Sequence, residues 1–317
     1  MLNNFSVSER KVAIIGAGFV GASIAYALTI RKLAREIVLI DIHEEKTIGE
    51  ALDIQHGIPD MGISSVRAGT YADCKDCDLI IITAGRNRKP GETRLDLIAG
   101  NSAILKNVVD QMKPHYTKGV IMIVSNPVDV LVYQCTKWMG LPNGMVFGTG
   151  CILDSSRFTR LIADYTRLNT EVVKATIVGE HGDAQIPIWS RVSIAGVPIQ
   201  EYCENVGLRW GENIRKDISD KVREMGATII KGKGRTHYGI ATCVCYLAEA
   251  VLNQRLTIAP VSTMFQGEYG IEDVCLSVPS IIGVNGVEKR LEERWAEEEF
   301  LAFRQAAEKM RNVLKTL

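Results

Sequence analysis

The sequence predicts an α/β protein, a doubly wound parallel sheet followed by a second domain of α+β character. Three observations carry this expectation. Short apolar runs of strand length recur at residues 11–15, 36–40, 78–83, 120–125 and 145–147, separated by helical patterns. Strands of a parallel sheet are covered on both faces and therefore read as continuous apolar runs. A glycine-rich turn follows the first run directly, and a chain of 317 residues is too long for one small core, so it divides near residue 150 into units 1–150 and 151–317.

The totals exclude several classes of partner. Lys plus Arg and Asp plus Glu both number 37, leaving no net field to recruit nucleic acid or an anionic membrane, so anion recognition must be local. Residues 1–11 are polar and charged and lack the apolar centre of a signal peptide, and the apolar stretch 12–30 is broken by Gly16, Gly18 and Gly21. With no sign of secretion, the eight cysteines are expected to be reduced thiols in a cytoplasmic protein. Cys74-Lys-Asp-Cys77 has no second pair to complete a zinc ribbon and reads as a turn before a strand.

Taken in order, the first run ends in Gly16-Ala-Gly18-Phe19-Val20-Gly21 and opens into a helical stretch. The first glycine permits the tight turn, the second lets backbone amides approach a pyrophosphate, and the third lets helix pack on strand. The second strand ends in Asp41, twenty residues after Gly21, where an acid accepts the ribose hydroxyls of NAD and repels the extra phosphate of NADP. The first unit is thus expected to be a Rossmann dinucleotide fold that binds NAD. A helix is expected over 47–55, closed by Gly57 and Pro59, with Ile48, Ala51, Leu52 and Ile54 facing either the core or a second subunit.

After the strand at 78–83 comes Gly85-Arg-Asn-Arg-Lys-Pro-Gly-Glu-Thr-Arg94, with four cations in ten residues on a strand-to-helix loop. Ligands bind at such loops in open α/β sheets. Beyond residue 150 the pattern changes to helix 154–165, strand 172–178 and the loop Gly179-Glu-His181-Gly-Asp183. Helices come next at 210–232 and 238–252, then strands 258–261, 273–278 and 280–284, and an amphipathic helix over 296–317. That last helix begins Glu-rich and ends with Lys and Arg, as its dipole favours.

Of the five histidines, none shares a helix with an acid at metal-ligand spacing, so no metal site is expected. His181 stands out because Gly179 and Gly182 flank it and expose the ring on a loop. Asp154 and Arg157 lie one helical turn apart and face the same way.

Together, Gly16-x-Gly18-x-x-Gly21, Asp41, Thr83-Ala84-Gly85, Lys89-Pro-Gly-Glu-Thr-Arg94, Ser125-Asn126-Pro127, Leu153-Asp154-Ser-Ser-Arg157 and Gly-Glu-His181-Gly-Asp resemble the lactate and malate dehydrogenase family. The likeness is to its bacterial L-lactate dehydrogenase type and covers nearly the whole chain. It implies reversible hydride transfer between NADH and a small 2-oxo acid. His181 would be the proton donor and acceptor, with Asp154 orienting its ring. Arg157 would clamp the substrate carboxylate with a bidentate fork. Arg94 would polarise the reacting carbonyl when the loop 85–94 closes. Asn126 would hold the carbonyl and nicotinamide region, and Thr236 and Ile240 would line the substrate and nicotinamide pockets. The cofactor set would comprise Gly16, Gly18, Phe19, Val20, Gly21, Asp41, Thr83, Ala84, Gly85, Ser125, Asn126 and Ile240. A homodimer or homotetramer is implied.

The substrate-discriminating position of the family falls on Arg88, where lactate dehydrogenases carry glutamine and malate dehydrogenases arginine. Closing the loop on pyruvate would bury a guanidinium beside a methyl group, whereas oxaloacetate pairs it. The expected substrate pair is therefore oxaloacetate and (S)-malate, on a framework similar to clostridial malate dehydrogenases, with small Gly226 and Ala227 leaving room for a larger side chain. L-lactate dehydrogenase is the alternative, since Thr236 and the His181 loop look lactate-type. The positions that bind fructose 1,6-bisphosphate in allosteric relatives fall on Thr159 and Lys174, so weak or absent activation is expected. A non-catalytic NAD sensor would not need His181, Asp154, Arg157 and Arg94 together. An NAD-dependent glycosidase would want a metal-binding cysteine and histidine and a longer chain.

Overall fold

Strand β1 (Lys11–Ile15) sends Val12 and Ile14 to one face of the sheet and Ala13 and Ile15 to the other, and all four are buried. A strand sandwiched in this way has no polar face, which is why its sequence lacks alternation. The computed structural model describes residues 10–61, 65–87 and 91–317. The first half continues with α1 (Phe19–Ile30), β2 (Glu36–Ile40), α2 (Glu44–Met61), β3 (Ser65–Ala68), β4 (Leu79–Ile82), α3 (Arg94–Met112), β5 (Val120–Ile123), α4 (Val128–Met139) and β6 (Val146–Gly148). These six strands are parallel in the order β3-β2-β1-β4-β5-β6, with Val12 of β1 level with Ile37 of β2 and Leu79 of β4. The reversal of winding lies between β1 and β4, so their carboxyl ends open a crevice there.

The second half comprises α5 (Ile152–Thr166), β7 (Val173–Lys174), β8 (Ile177–Gly179), β9 (Gln185–Pro187), β10 (Ser193–Ile194), β11 (Val197–Pro198), α6 (Ile199–Val206), α7 (Glu212–Lys233), α8 (Tyr238–Leu252), β12 (Thr257–Gln266), β13 (Glu272–Gly283), β14 (Gly286–Arg290) and α9 (Glu297–Leu314). Strand β12 lies antiparallel beside β6, with Ser262 opposite Gly148, so the sheet runs on from one half into the other. Helix α8 packs against α1 on one face of the shared sheet. An α8 backed by α1 places the start of α8 beside the glycine-rich turn.

Three expectations about the elements are corrected. Helix α2 does not close at Gly57 and Pro59 but runs through both to Met61. Pro59 sits in the last turn, where it removes one backbone hydrogen bond, and buried Ile54 and Ile58 hold that turn on the core. The strand expected over 172–178 is broken into β7 and β8, which join different sheets, because the chain turns inward between them to lead toward His181. The strands expected at 273–278 and 280–284 are one strand, β13. Its Pro279 lies opposite Pro260 of β12, so the two missing donors fall on one rung and the ladder continues on both sides. On α2, Ala51 and Ile54 are buried whereas Ile48 and Leu52 are exposed.

Candidate active site

The carboxyl end of β1 turns at Gly16, whose φ of +108° and close neighbours, with an added Cβ only 2.6 Å from the Ala84 nitrogen, exclude any other residue. A Cβ on Gly21 would overlap the Gly16 carbonyl, so α1 approaches β1 as closely as backbone allows. Gly18, by contrast, has nothing within 4 Å of where a Cβ would stand, which leaves its face open for a ligand. It caps α1 without a side-chain hydrogen bond, and the first amides of that helix point into this space. Asp41 at the end of β2 accepts from the Ala17 amide at 2.7 Å and the His43 amide at 3.0 Å, holding its carboxylate against the turn. The open cradle, the free amides and the acid together fit the diphosphate and ribose of a dinucleotide.

Beside this turn, Thr83 donates from Oγ1 to the Gly16 carbonyl at 2.8 Å and Ser125 donates to the Ala84 carbonyl at 2.7 Å. These bonds tie the ends of β1, β4 and β5 together. Asn101 of α3 was not singled out in the sequence, yet it is buried. Its side chain accepts from the Arg86 amide at 2.9 Å and donates to the carbonyls of Arg86 at 3.1 Å and Asn126 at 2.6 Å. The cationic loop and the Asn126 turn are thereby held in one frame. An amide on a helical face whose neighbours at Ile98 and Leu105 are core residues is the signal that could have marked it.

A cleft of about 400 Å³ opens between these loops and the second half. Val20, Thr83, Gly85, Ser125, Asn126, Asp154, Arg157, His181, Gly226, Thr236 and Ile240 line it, all of which the sequence had marked. It also takes in Arg86 and Arg223, to which the sequence assigned no role. Gly16, Gly18, Phe19 and Gly21 form the turn and the start of α1 next to the lining residue Val20, with Asp41 holding that turn from the end of β2 and Ala84 bonded to the Ile15 carbonyl from beyond β4. Arg88, on which the substrate expectation rested, lies outside the described residues, as does Lys89.

Helix α5 carries Asp154 in its first turn and Arg157 one turn later. The Asp154 side chain is almost wholly buried, with Oδ2 at 2.6 Å from His181 Nδ1 and Oδ1 at 3.1 Å from the Arg157 guanidinium. Burial pushes the Asp154 carboxyl up, but the His181 hydrogen bond and the charges of His181 and Arg157 outweigh it and leave it below the usual carboxylate range. Burial likewise opposes the His181 imidazolium, while the Asp154 hydrogen bond and the charges of Asp154 and Asp129 raise it above the ordinary histidine value. With Nδ1 committed to Asp154, Nε2 is the nitrogen left to face the cleft.

Asp129 was missed in the sequence. It is an acid inside the apolar start of α4, 2% exposed, accepting from the His181 amide at 2.9 Å and from Ser262 Oγ at 2.6 Å. Burial raises its carboxyl above the usual range. It therefore ties the His181 loop to α4 and β12 through the backbone. Arg94, the first residue of α3, turns its guanidinium to Glu180, next to His181, with Asp183 at 3.9 Å. Both cysteines of the Cys74–Cys77 pair are buried, with thiols pushed up to about 12 by that burial. Among the described residues no group of three or more His, Cys, Asp or Glu is placed to hold a metal ion, and no helix is long and apolar enough to cross a membrane.

The lactate/malate dehydrogenase NAD-binding domain profile matches residues 10–148, and that of the family's α/β C-terminal domain matches 151–317. The chain belongs to the lactate/malate dehydrogenase family. It is similar to an L-lactate dehydrogenase of Thermoanaerobacterium saccharolyticum, 43% identical over 97% of this chain and 99% of the relative. An L-lactate dehydrogenase of Acetivibrio thermocellus is 39% identical over 100% of this chain and 99% of its own. Among solved structures, the minor L-lactate dehydrogenase of Enterococcus mundtii superposes with a TM-score of 0.94 at 40% identity, covering 98% of this chain and 99% of that one. The protein is thus an NAD-dependent 2-hydroxy acid dehydrogenase with a Rossmann-type first half. The malate label expected from Arg88 finds no support among these relatives, which carry the lactate name.

Proposed function

We propose that the protein interconverts pyruvate and L-lactate. The Asp154–His181–Arg157 constellation, with Asp154 buried at its centre, supports the reaction class, and the lactate dehydrogenase names of relatives that span nearly the whole chain support the substrate. In this reading units 1–150 and 151–317 divide the work between cofactor and substrate.

Bound NADH supplies the hydride that is added to C2 of the 2-oxo acid. Arg157, with only 13% of its side chain exposed and one nitrogen occupied by Asp154, takes the substrate carboxylate on the remaining edge of its fork. His181 Nε2 delivers its proton to the carbonyl oxygen, and Asp154 stabilises the imidazolium before transfer and holds the ring afterwards. Arg94 exchanges Glu180 for the developing oxyanion, and Asn126 donates to the same oxygen. Thr236 and Ile240 shape the side-chain pocket and exclude water from the reacting face. Gly16, Gly18, Phe19, Val20, Gly21, Asp41, Thr83, Ala84, Gly85 and Ser125 hold the dinucleotide. A cytoplasmic homodimer or homotetramer belongs to the same proposal, supported by the exposed apolar side chains Tyr26, Ile30, Ile48 and Leu52 on α1 and α2.

A second reading, oxaloacetate and malate, is favoured by Arg88 in the sequence. The cleft cations Arg86 and Arg223 already pair with Glu92 at 2.6 Å and Asp220 at 3.0 Å, so it is Arg88 that a second carboxylate would partner, and pyruvate offers none. The test is NADH oxidation with pyruvate and with oxaloacetate on one preparation, repeated with Arg88→Gln. A higher kcat/KM for pyruvate supports the lactate reading. A lead of orders of magnitude for oxaloacetate, eroded by the substitution, would replace it with the malate reading.

A further inference from the structure

The turn between α7 and α8 touches two places at once. Thr236 lines the cleft together with Val20, while its neighbours Arg235 and His237 flank Phe19, the first residue of α1. The Arg235 guanidinium carbon lies 3.7 Å from the centre of the Phe19 ring, and Lys46 Nζ lies 5.5 Å from it. His237 stands 5.8 Å from the same ring, with Lys233 Nζ 3.3 Å from its Nε2. Two cations therefore gather around Phe19 at the amino end of α1, and a third, Lys233, lies next to them over the Tyr238 ring at 4.0 Å. Among the described residues none of Lys46, Lys233 and Arg235 has a carboxylate partner.

Like charges gathered without an acid repel one another and raise the cost of folding, unless an anion joins them. His237 adds an independent sign. It is 8% exposed, and its Nδ1 is buried without a hydrogen-bond partner, a state that costs free energy as the chain stands. Burial, and then the charges of Lys233 and Arg235, hold its ring below the ordinary histidine value, so it does not add a fourth cation. The anion that the established chemistry brings to this spot is the diphosphate of the dinucleotide, which the open face at Gly18 and the amides of α1 receive.

We propose that Arg235, supported by Lys46 and Lys233, forms a second grip on the cofactor diphosphate from the substrate half of the chain, clamping the α7–α8 turn over the glycine-rich loop. Arg235 suits this role because its planar fork stacks on Phe19 while its edge stays available to a phosphate oxygen. The grip rests on the NAD assignment and is independent of which 2-oxo acid is reduced. Its consequence is that the residue next to the grip, Thr236, is set against the substrate pocket when the cofactor is in place.

The test is equilibrium binding to the full-length protein, read by calorimetry or fluorescence, with ADP-ribose and with adenosine as probes. Arg235→Gln is expected to weaken ADP-ribose by about tenfold or more while leaving adenosine within about twofold, the size of a lost charge-assisted hydrogen bond. Arg235→Lys, which keeps the charge but not the fork, should fall between the two. Unchanged ADP-ribose affinity in Arg235→Gln would overturn the grip, and so would an equal loss with adenosine, which would mean that Arg235 merely packs on Phe19. Failure of the unsubstituted protein to bind ADP-ribose at all would overturn the dinucleotide assignment beneath it.

Discussion

Replacing Asp154 by Asn removes one buried charge without changing shape, and the contacts of that carboxylate set the size of the effect. It is almost wholly buried and is the partner both of His181 Nδ1 at 2.6 Å and of Arg157 at 3.1 Å. A charge-assisted hydrogen bond in such a setting is worth about 1.5–3 kcal/mol, and each 1.36 kcal/mol is tenfold. Reduction needs the imidazolium, so the loss at neutral pH should be about 10- to 150-fold in kcat/KM. The pH dependence gives a second readout. In the unsubstituted protein Asp154 and Asp129 hold His181 above the ordinary histidine value against the opposing effect of burial. Reduction should therefore be full at low pH and fall as pH rises through that raised pKa, while oxidation of the hydroxy acid should rise over the same window. In Asp154→Asn the burial remains and the largest support is gone, so the falling limb must move to lower pH. The assay is kcat/KM for 2-oxo acid reduction across pH, with NADH saturating. A falling limb that stays in place would refute the assignment of His181 as the proton donor held by Asp154.

The same geometry sets other outcomes. Arg157→Lys keeps the charge but loses the fork, so KM for the 2-oxo acid should rise by about 30-fold or more with a smaller change in kcat, measured by steady-state kinetics. Asn101→Ala strands the Arg86 amide and the Arg86 and Asn126 carbonyls around a buried hole, which should cost about 2–4 kcal/mol in denaturant unfolding and loosen both loops at the cleft. Fructose 1,6-bisphosphate should change the rate at low substrate by less than about twofold, because Thr159 offers no charge and bonds toward the Ala175 carbonyl, leaving exposed Lys174 as the one cation of the two positions, where a lone surface ion pair is worth under about 1 kcal/mol. A steepened activity curve on adding the sugar bisphosphate would overturn that expectation.

Much of the first half could be read from the chain because its signals are local. A glycine turn between a strand and a helix, with an acid twenty residues on, is written in consecutive residues, and the turn at Gly16 admits nothing else. Asp154 and Arg157 face together because helical periodicity alone puts them one turn apart. Helix α8 was legible to the residue, whereas the end of α2 was not, since Pro59 is tolerated only because Ile54 and Ile58 bury that turn.

The linear chain is enough to specify the dinucleotide fold, the preference for NAD and the set of residues that could move a proton and hold a carboxylate. What those residues meet is a property of the packed molecule. Asp129 tethers the His181 backbone from 52 positions away, Asn101 binds two loops through its side chain, and β12 joins the second half to the sheet of the first. Arg94 rests on Glu180, and Arg235 stacks on a phenylalanine more than two hundred residues earlier. The physical reason is range. Turn chemistry and periodicity act over a few residues, whereas pairing a buried charge or satisfying a buried amide depends on groups that only the packed chain brings within about 3 Å.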